Sequence, residues 1–162
     1  MGAGKTSVGR LLAQQIGWIF TDLDDVVEAR AGRPIADIFQ TEGEAAFRRA
    51  ERVALQEMLQ SGADDPPLVL ALGGGAFVQP EIASALFQAG VPCVFLDASI
   101  EALRSRCSPE GAQRPLFQDE NHFRQLYAVR HPVYMKADIR IDTTGLTVEQ
   151  VAAEVTRRLG LV

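Results

Sequence analysis

The chain has 162 residues, of which 47% are hydrophobic and 23% charged, and its formal net charge is −5. This length suffices for one domain with a single core, and the acidic balance argues against a nucleic-acid-binding protein. No apolar run is long enough for a membrane span and no export signal is visible, so we expect a cytoplasmic protein that binds neither nucleic acid nor membrane. A monomer is a separate expectation.

The chain opens on a glycine-rich stretch, Met-Gly-Ala-Gly-Lys-Thr-Ser, that matches the second half of a phosphate-binding loop. Apolar residues at helical spacing follow it and predict a helix from Lys5 to about Gly17. In such a loop, backbone N–H groups and the helix N-terminus face a polyphosphate, the lysine reaches the β- and γ-phosphates, and the hydroxyl of Thr6 ligates Mg²⁺. The alternative is a flexible N-terminus before an ordinary helix, because the full motif has another glycine ahead of Gly4, separated from it by four residues.

A short apolar strand is predicted over 18–20, with Thr-Asp-Leu-Asp-Asp at its C-terminal end. Ligands bind at this edge of an open α/β sheet. If the strand geometry continues, Asp22 and Asp24 point the same way. They could then hold Mg²⁺ and take the proton of an attacking hydroxyl. The alternative is a solvated turn with helix-capping aspartates.

Helices are predicted next over 26–30, 34–39 and 43–60, and the last carries Phe-Arg-Arg-Ala-Glu at 47–51. Arginines on a helix usually form a solvent-exposed face. A continuous apolar run over 68–72 then predicts a strand covered on both faces, which ends in Gly-Gly-Gly at 73–75. Glycines in this position favour close approach of backbone N–H groups to a ligand, although a simple turn is the alternative.

The C-terminal half continues the alternation of helices and strands. We predict strands over 91–96 and 137–142, the second of them an outer strand, and helices over 81–88, 100–106 and 123–130. Ser99 caps the second of these helices, and Pro132 limits the third. A final helix runs to Leu159 and begins with a capping box at Thr147 and Gln150. The whole predicts a doubly wound α/β layer.

Between Cys107 and Asn121 the apolar periodicity disappears, which is typical of a functional flap in a compact domain. Arg114 lies in this segment, and Arg130 ends the helix that follows it. An arginine on a mobile segment can close over a phosphoryl group and neutralise its developing charge. The alternative is a solvated loop arginine.

Taken in order, these stretches resemble the shikimate kinase family. The matching motifs are Gly-Ala-Gly-Lys-Thr at 2–6, Phe-Thr-Asp-Leu-Asp at 20–24, Gly-Glu-Ala-Ala-Phe-Arg-Arg-Ala-Glu at 43–51, the triple glycine at 73–75, Arg-Pro-Leu at 114–116 and Arg-His-Pro-Val-Tyr at 130–134. The resemblance implies a P-loop NTPase-like three-layer α/β/α fold around a parallel sheet of order 2-3-1-4-5. It also implies a single kinase domain over 1–162, with a substrate-binding subregion over 22–60 and a lid over 107–121.

The resemblance further implies ATP-dependent phosphorylation of the 3-hydroxyl of shikimate, with Lys5, Asp24 and Arg114 as catalytic residues. ATP would be bound by Gly2, Ala3, Gly4, Lys5, Thr6, Ser7 and Arg114, and Mg²⁺ by Thr6 and Asp22. Shikimate would be bound by Asp24, Arg48, Gly73, Gly74, Gly75 and Arg130, with Phe39, Phe47 and Glu51 bracing the pocket. The residue types agree with these roles, since paired arginines suit an acid and the aspartate and glycines suit a polyol.

The chain departs from the family at its start, where the family has a central strand and a further glycine ahead of the loop. Unpaired strands would leave buried backbone groups that cost about 1–3 kcal/mol each. We therefore expect Met1 to be an internal methionine of a longer natural chain. Two alternatives to shikimate phosphorylation are another small P-loop kinase, such as a gluconate or nucleoside monophosphate kinase, and an inactive relative that serves as a binding module.

Overall fold

A computed structural model describes residues 3–60, 65–107 and 120–161 of the chain, and the side chains of these residues other than 104–107 and 120. Gly2, Arg114 and nearly all of the expected lid lie outside the described residues, so their predicted roles stay predictions. Among the described residues, no helix is both long and apolar enough to cross a membrane.

Helices and short strands alternate along the described chain. Their bounds are α1 (Lys5–Ile16), β1 (Ile19–Asp22), α2 (Leu23–Ala31), α3 (Ile35–Leu59), β2 (Leu68–Ala71), α4 (Pro80–Gln88), β3 (Val94–Asp97), α5 (Ile100–Cys107), α6 (Glu120–Tyr134), β4 (Ile139–Asp142) and α7 (Val148–Leu159). Each predicted helix and strand is present within a few residues of its expected position.

The strands form two parallel pairs. β1 pairs with β2, with Ile19 opposite Leu68, and β3 pairs with β4, with Val94 opposite Ile139. Between β2 and β3 lies a cavity of about 620 Å³, lined by residues of both strands and of the helices above and below them. In the part of the chain that the structure describes, no strand fills this slot. If a strand filled it, the order would be the expected 2-3-1-4-5.

Apolar side chains pack on both faces of the strands and make two cores. One core joins α1, α5, α6 and α7 to β3 and β4, and Val69 packs against it. The other joins α2, α3 and α4, and the next residue of β2, Leu70, packs against that core. Because neighbouring residues of one strand face opposite cores, the strands form the middle of three layers, as the apolar run over 68–72 predicted.

Two local predictions are wrong. The strand geometry does not continue to Asp24, because β1 ends at Asp22 and α2 begins at the next residue. Pro132 does not end α6, which continues to Tyr134. The helices predicted over 34–39 and 43–60 are confirmed: both lie within α3 and meet at a kink at Gly43, where φ is 81° and ψ is 175°. These angles are not helical, and a positive φ of this size favours glycine, so the chain changes direction at this residue between the two helices.

Candidate functional site

The glycine-rich loop leads directly into α1. Gly4 has φ 80° and ψ 18°, a left-handed conformation that favours glycine, and its carbonyl accepts the first helical hydrogen bond from the N–H of Val8 at 2.9 Å. The N-terminus of α1 therefore leaves its first backbone N–H groups without helical partners, as an anion site requires. Thr6 and Ser7 are exposed on this first turn.

Asp22, the last residue of β1, connects the loop to the neighbouring helix. One oxygen, Oδ1, accepts from the N–H of Asp24 at 3.1 Å and caps α2. The other, Oδ2, accepts from the hydroxyl of Thr6 at 3.3 Å. The residue is thus a helix cap, which was the alternative interpretation of the sequence, and it also lies beside the predicted Mg²⁺ ligand. An alcohol and a carboxylate oxygen this close together suit Mg²⁺, which takes few protein ligands and completes its shell with phosphate and water.

Asp24 lies in the first turn of α2 and faces the triple-glycine turn that follows β2. A Cβ at Gly73 would lie 2.8 Å from Oδ1 of Asp24, so only glycine leaves room for the carboxylate. That oxygen is buried and has no hydrogen-bond partner in the described part of the chain. Burial and the charge of Asp22 raise the pKa of the Asp24 carboxyl, and the ammonium of Lys5 opposes them. Among the described residues, Oδ1 of Asp24 is therefore an acceptor without a donor, and it lies within the electrostatic influence of Lys5 in the phosphate loop.

Glu51 of α3 approaches the same glycine and is fully buried. Its Oε2 accepts from Nη1 of Arg48 at 2.7 Å and from Nε2 of Gln79 at 2.8 Å. Its Oε1 has no hydrogen-bond partner among the described residues and would lie 3.4 Å from a Cβ at Gly73. Burial raises the pKa of the Glu51 carboxyl, while the hydrogen bond from Arg48 lowers it. Two acceptor oxygens from different helices therefore converge on one glycine.

Arg48 packs against the other end of the glycine turn. A Cβ at Gly75 would lie 2.3–2.5 Å from Nη2, Nη1 and Cζ of its guanidinium. The group also packs on the Phe47 ring, with Cζ 5.2 Å from the centroid. Burial lowers the pKa of Arg48, but its pairs with Glu51 and Glu44 raise it more, so the side chain stays charged. The side chain is 19% exposed, whereas Arg49 beside it is exposed to solvent, so the expectation of a solvent-exposed face fits only Arg49.

Tyr134, at the end of α6, joins Arg130 to the same turn. Its hydroxyl donates a short hydrogen bond to the carbonyl of Gly74. Burial raises the pKa of the Tyr134 phenol, and a hydrogen bond with Arg130 and the charge of Arg48 oppose this. Both predicted carboxylate-binding arginines therefore lie near one phenol oxygen, on the same side of the molecule as Asp24.

The structure thus brings the described members of the predicted site together around two glycine turns. Sequence reasoning gave no role to three residues that hold this arrangement: Gln79, Glu44 and Tyr134. Tyr134 and Glu44 belong to motifs that were noticed, whereas Gln79 is an ordinary polar residue at the start of a helix. The spacing of Glu44 and Arg48, four residues apart on one helix, could have indicated their pairing. No local signal distinguishes Gln79, because its partner Glu51 is fixed only by the packing of the fold.

Comparison with known proteins identifies the family. The family model described as shikimate kinase matches residues 1–160. A shikimate kinase of Thermus thermophilus is 44% identical over 162 residues, covering 98% of this chain and 85% of the relative. One of Symbiobacterium thermophilum is 42% identical over 164 residues, covering 98% of this chain and 91% of the relative.

Solved structures agree. A structure described as shikimate kinase from Acinetobacter baumannii in complex with shikimate superimposes with a TM-score of 0.85 at 37% identity, covering 98% of this chain and 88% of that one. The shikimate kinase of Bacteroides thetaiotaomicron gives a TM-score of 0.87 at 28% identity, covering 99% of this chain and 94% of that one. These matches confirm the P-loop α/β/α fold that the sequence predicted. The chain therefore belongs to the shikimate kinase family.

Proposed function

We propose how the site of this kinase divides the work of phosphoryl transfer among its residues. The reaction is ATP-dependent phosphorylation of the 3-hydroxyl of shikimate, which gives shikimate 3-phosphate and ADP. The proposal rests on one observation: the carboxylate of Asp24 and the guanidinium of Arg48 lie against the two outer glycines of a single turn. A small ligand seated on that turn would meet an acceptor for hydroxyls at one end and a cation for its carboxylate at the other.

Asp24 is proposed as the group that orients the attacking hydroxyl and takes its proton. Its buried Oδ1 lacks a donor among the described residues, and a substrate hydroxyl would supply one. Its neighbour Lys5 lies at the start of α1, close enough to influence the Asp24 pKa. The base and the phosphate-binding loop are therefore within electrostatic reach of each other, as a direct transfer from ATP to an alcohol requires.

Arg48 and Arg130 are proposed to bind the carboxylate of the substrate. A guanidinium presents a planar fork of donors that matches a carboxylate better than an ammonium does. The proximity of both arginines to Tyr134 supports a shared ligand for them. The backbone of Gly74 lies between the two, and its carbonyl is already occupied by the Tyr134 hydroxyl.

The ATP phosphates are proposed to lie on the loop from Gly2 to Ser7, with Arg114 closing over them from the lid. Mg²⁺, held by Thr6 and reached by Asp22, would supply charge neutralisation for the phosphates. The 3.3 Å contact between the two side-chain oxygens supports this pair as its protein ligands. The monomeric state and cytoplasmic location expected from the sequence stay predictions.

A coupled ADP-release assay tests the substrate. Shikimate, gluconate and a nucleoside monophosphate are offered separately with ATP and Mg²⁺, and turnover is expected with shikimate alone. Turnover with another acceptor would favour a different small-metabolite kinase. A folded protein without turnover on any of them would favour an inactive binding module.

An arginine pair tests the geometry. Arg48→Ala is expected to raise the KM for shikimate about 100-fold and to leave the KM for ATP nearly unchanged, because it removes a charged donor pair from one substrate only. Arg49→Ala is the matched control, since it removes the same charge from the exposed neighbour. Equal loss of both affinities in Arg48→Ala would show that the residue is structural.

A further inference from the structure

The Arg48 guanidinium already holds two carboxylates, and the two differ in environment. On one side, Nη1 donates to Glu51 at 2.7 Å. On the other side, Nε and Nη2 both donate to a single oxygen of Glu44, at 3.2 and 3.0 Å. Glu51 is fully buried, whereas the side chain of Glu44 is 65% exposed.

The contact between Arg48 and Glu51 is held strongly by its surroundings. The side-chain Nε2 of Gln79 donates to the same Oε2 at 2.8 Å. The side-chain Oε1 of Gln79 in turn accepts from Nη1 of Arg52 at 2.7 Å. Because arginine can only donate, Arg52 fixes which end of the Gln79 amide faces Glu51. Moving Arg48 away would leave a buried carboxylate without its counter-charge, which is strongly unfavourable. This chain therefore holds the guanidinium in place against Gly75.

The contact between Arg48 and Glu44 is weak and can be displaced. Its two distances exceed the 2.7–2.9 Å usual for charged N–H···O pairs, and exposed ion pairs contribute little free energy. The Nε and Nη2 atoms form an edge that matches both oxygens of one carboxylate, but Glu44 offers that edge only one oxygen. A free carboxylate would satisfy the edge better than Glu44 does.

We propose that Glu44 is an internal competitor for the carboxylate of the substrate. In the free enzyme it occupies the Nε–Nη2 edge of Arg48, and a substrate acid must release it into solvent before binding there. This rests on the proposed function, since it assigns that edge of Arg48 to the substrate. The consequence is substrate selectivity. An acid without hydroxyls for Asp24 gains too little binding free energy to displace Glu44, so simple carboxylates do not bind at the substrate site.

Glu44→Gln tests the competition, because it keeps the shape of the side chain and removes its charge. The KM for shikimate, and its dissociation constant by calorimetry, are expected to fall about two- to fivefold, with kcat and the KM for ATP unchanged. The gain should shrink as ionic strength rises, because salt screens the exposed pair in the unaltered enzyme. A merely structural role for Glu44 would not produce that salt dependence.

Two controls accompany the variant. Glu42→Gln removes an equally charged side chain that pairs with Arg33 instead. It is expected to change neither the KM nor the dissociation constant for shikimate. In an Arg48→Ala background, Glu44→Gln should lose its effect, since the contested edge is gone.

An unchanged or raised dissociation constant in Glu44→Gln would overturn the proposal and indicate that shikimate binds with Glu44 still in place. Absence of turnover in the unaltered chain would instead refute the proposed function, and calorimetry, which needs no turnover, still decides the competition.

Discussion

The two glycine turns of the site use glycine for different physical reasons. At Gly4 the backbone is left-handed, with φ 80°, and nothing lies within 4 Å of where a Cβ would be. At Gly73 and Gly75 no left-handed angle is present, but a Cβ would press on Asp24 and on Arg48. The first turn needs the conformational freedom of glycine and the second needs its small size. One turn thus shapes the backbone and the other admits side chains from helices that are distant in sequence.

The sharpest test separates charge from shape at the second turn. Asp24→Asn keeps the volume beside Gly73 and removes the charge, so kcat should fall by about 10²–10⁴, the usual contribution of a positioned base. The free energy of unfolding from denaturant titration should change little. Asp25→Asn, an exposed neighbour in the same helical turn, is the matched control and should keep its activity. Full turnover by Asp24→Asn would mean that shape alone makes the site.

Gly75→Ala tests whether small size is what the second turn requires. Because the new carbon would lie within 2.5 Å of the Arg48 guanidinium, the arginine must move, and the KM for shikimate should rise about 100-fold with the KM for ATP nearly unchanged. In an Arg48→Ala background the same substitution should add nothing further, since its clash partner is gone. If Gly75→Ala raised the KM for shikimate by the same factor in that background as in the unaltered enzyme, Gly75 would act through its backbone.

Gly4→Ala tests the conformational requirement of the first turn and should have the smallest effect of the three. A left-handed alanine costs about 1–2 kcal/mol, so the KM for ATP should rise about 5- to 30-fold while the KM for shikimate stays the same. Gly17→Ala is the control, because Gly17 caps the other end of α1 with φ 72°. That variant should lose similar stability by thermal unfolding and keep its affinity for ATP.

Local signals predicted the elements well. Gly17 ends α1 at the expected place, and Thr147 and Gln150 form the predicted capping box, with hydrogen bonds of 2.9 and 3.3 Å. These features depend on a few neighbouring residues, which the sequence shows directly. The error at Pro132 has the opposite origin. On either side of Pro132, the rings of His131 and Tyr134 pack against Phe95, a tertiary contact that no local pattern shows.

The sequence motifs predicted which residues would lie together, and the structure brings the described ones together, but the contacts between them were not predicted. Motifs indicated Asp24, Arg48 and the glycines, yet they did not show that a Cβ at Gly73 or Gly75 would press on these two side chains. Nor did they show that Gln79 and Arg52 hold Glu51. Such contacts join residues 27 or 28 positions apart, and only the packed fold determines them.

The slot between β2 and β3 has a consequence for handling the protein. Among the residues that the structure describes, no strand pairs with β2 or β3 on the sides that border this cavity, which is lined mostly by apolar side chains. Such edges are templates on which a strand from another molecule can add, and pairing of that kind grows with concentration. Preparations consisting of these 162 residues should therefore be kept dilute and checked by light scattering before any kinetic constant is compared with that of a relative.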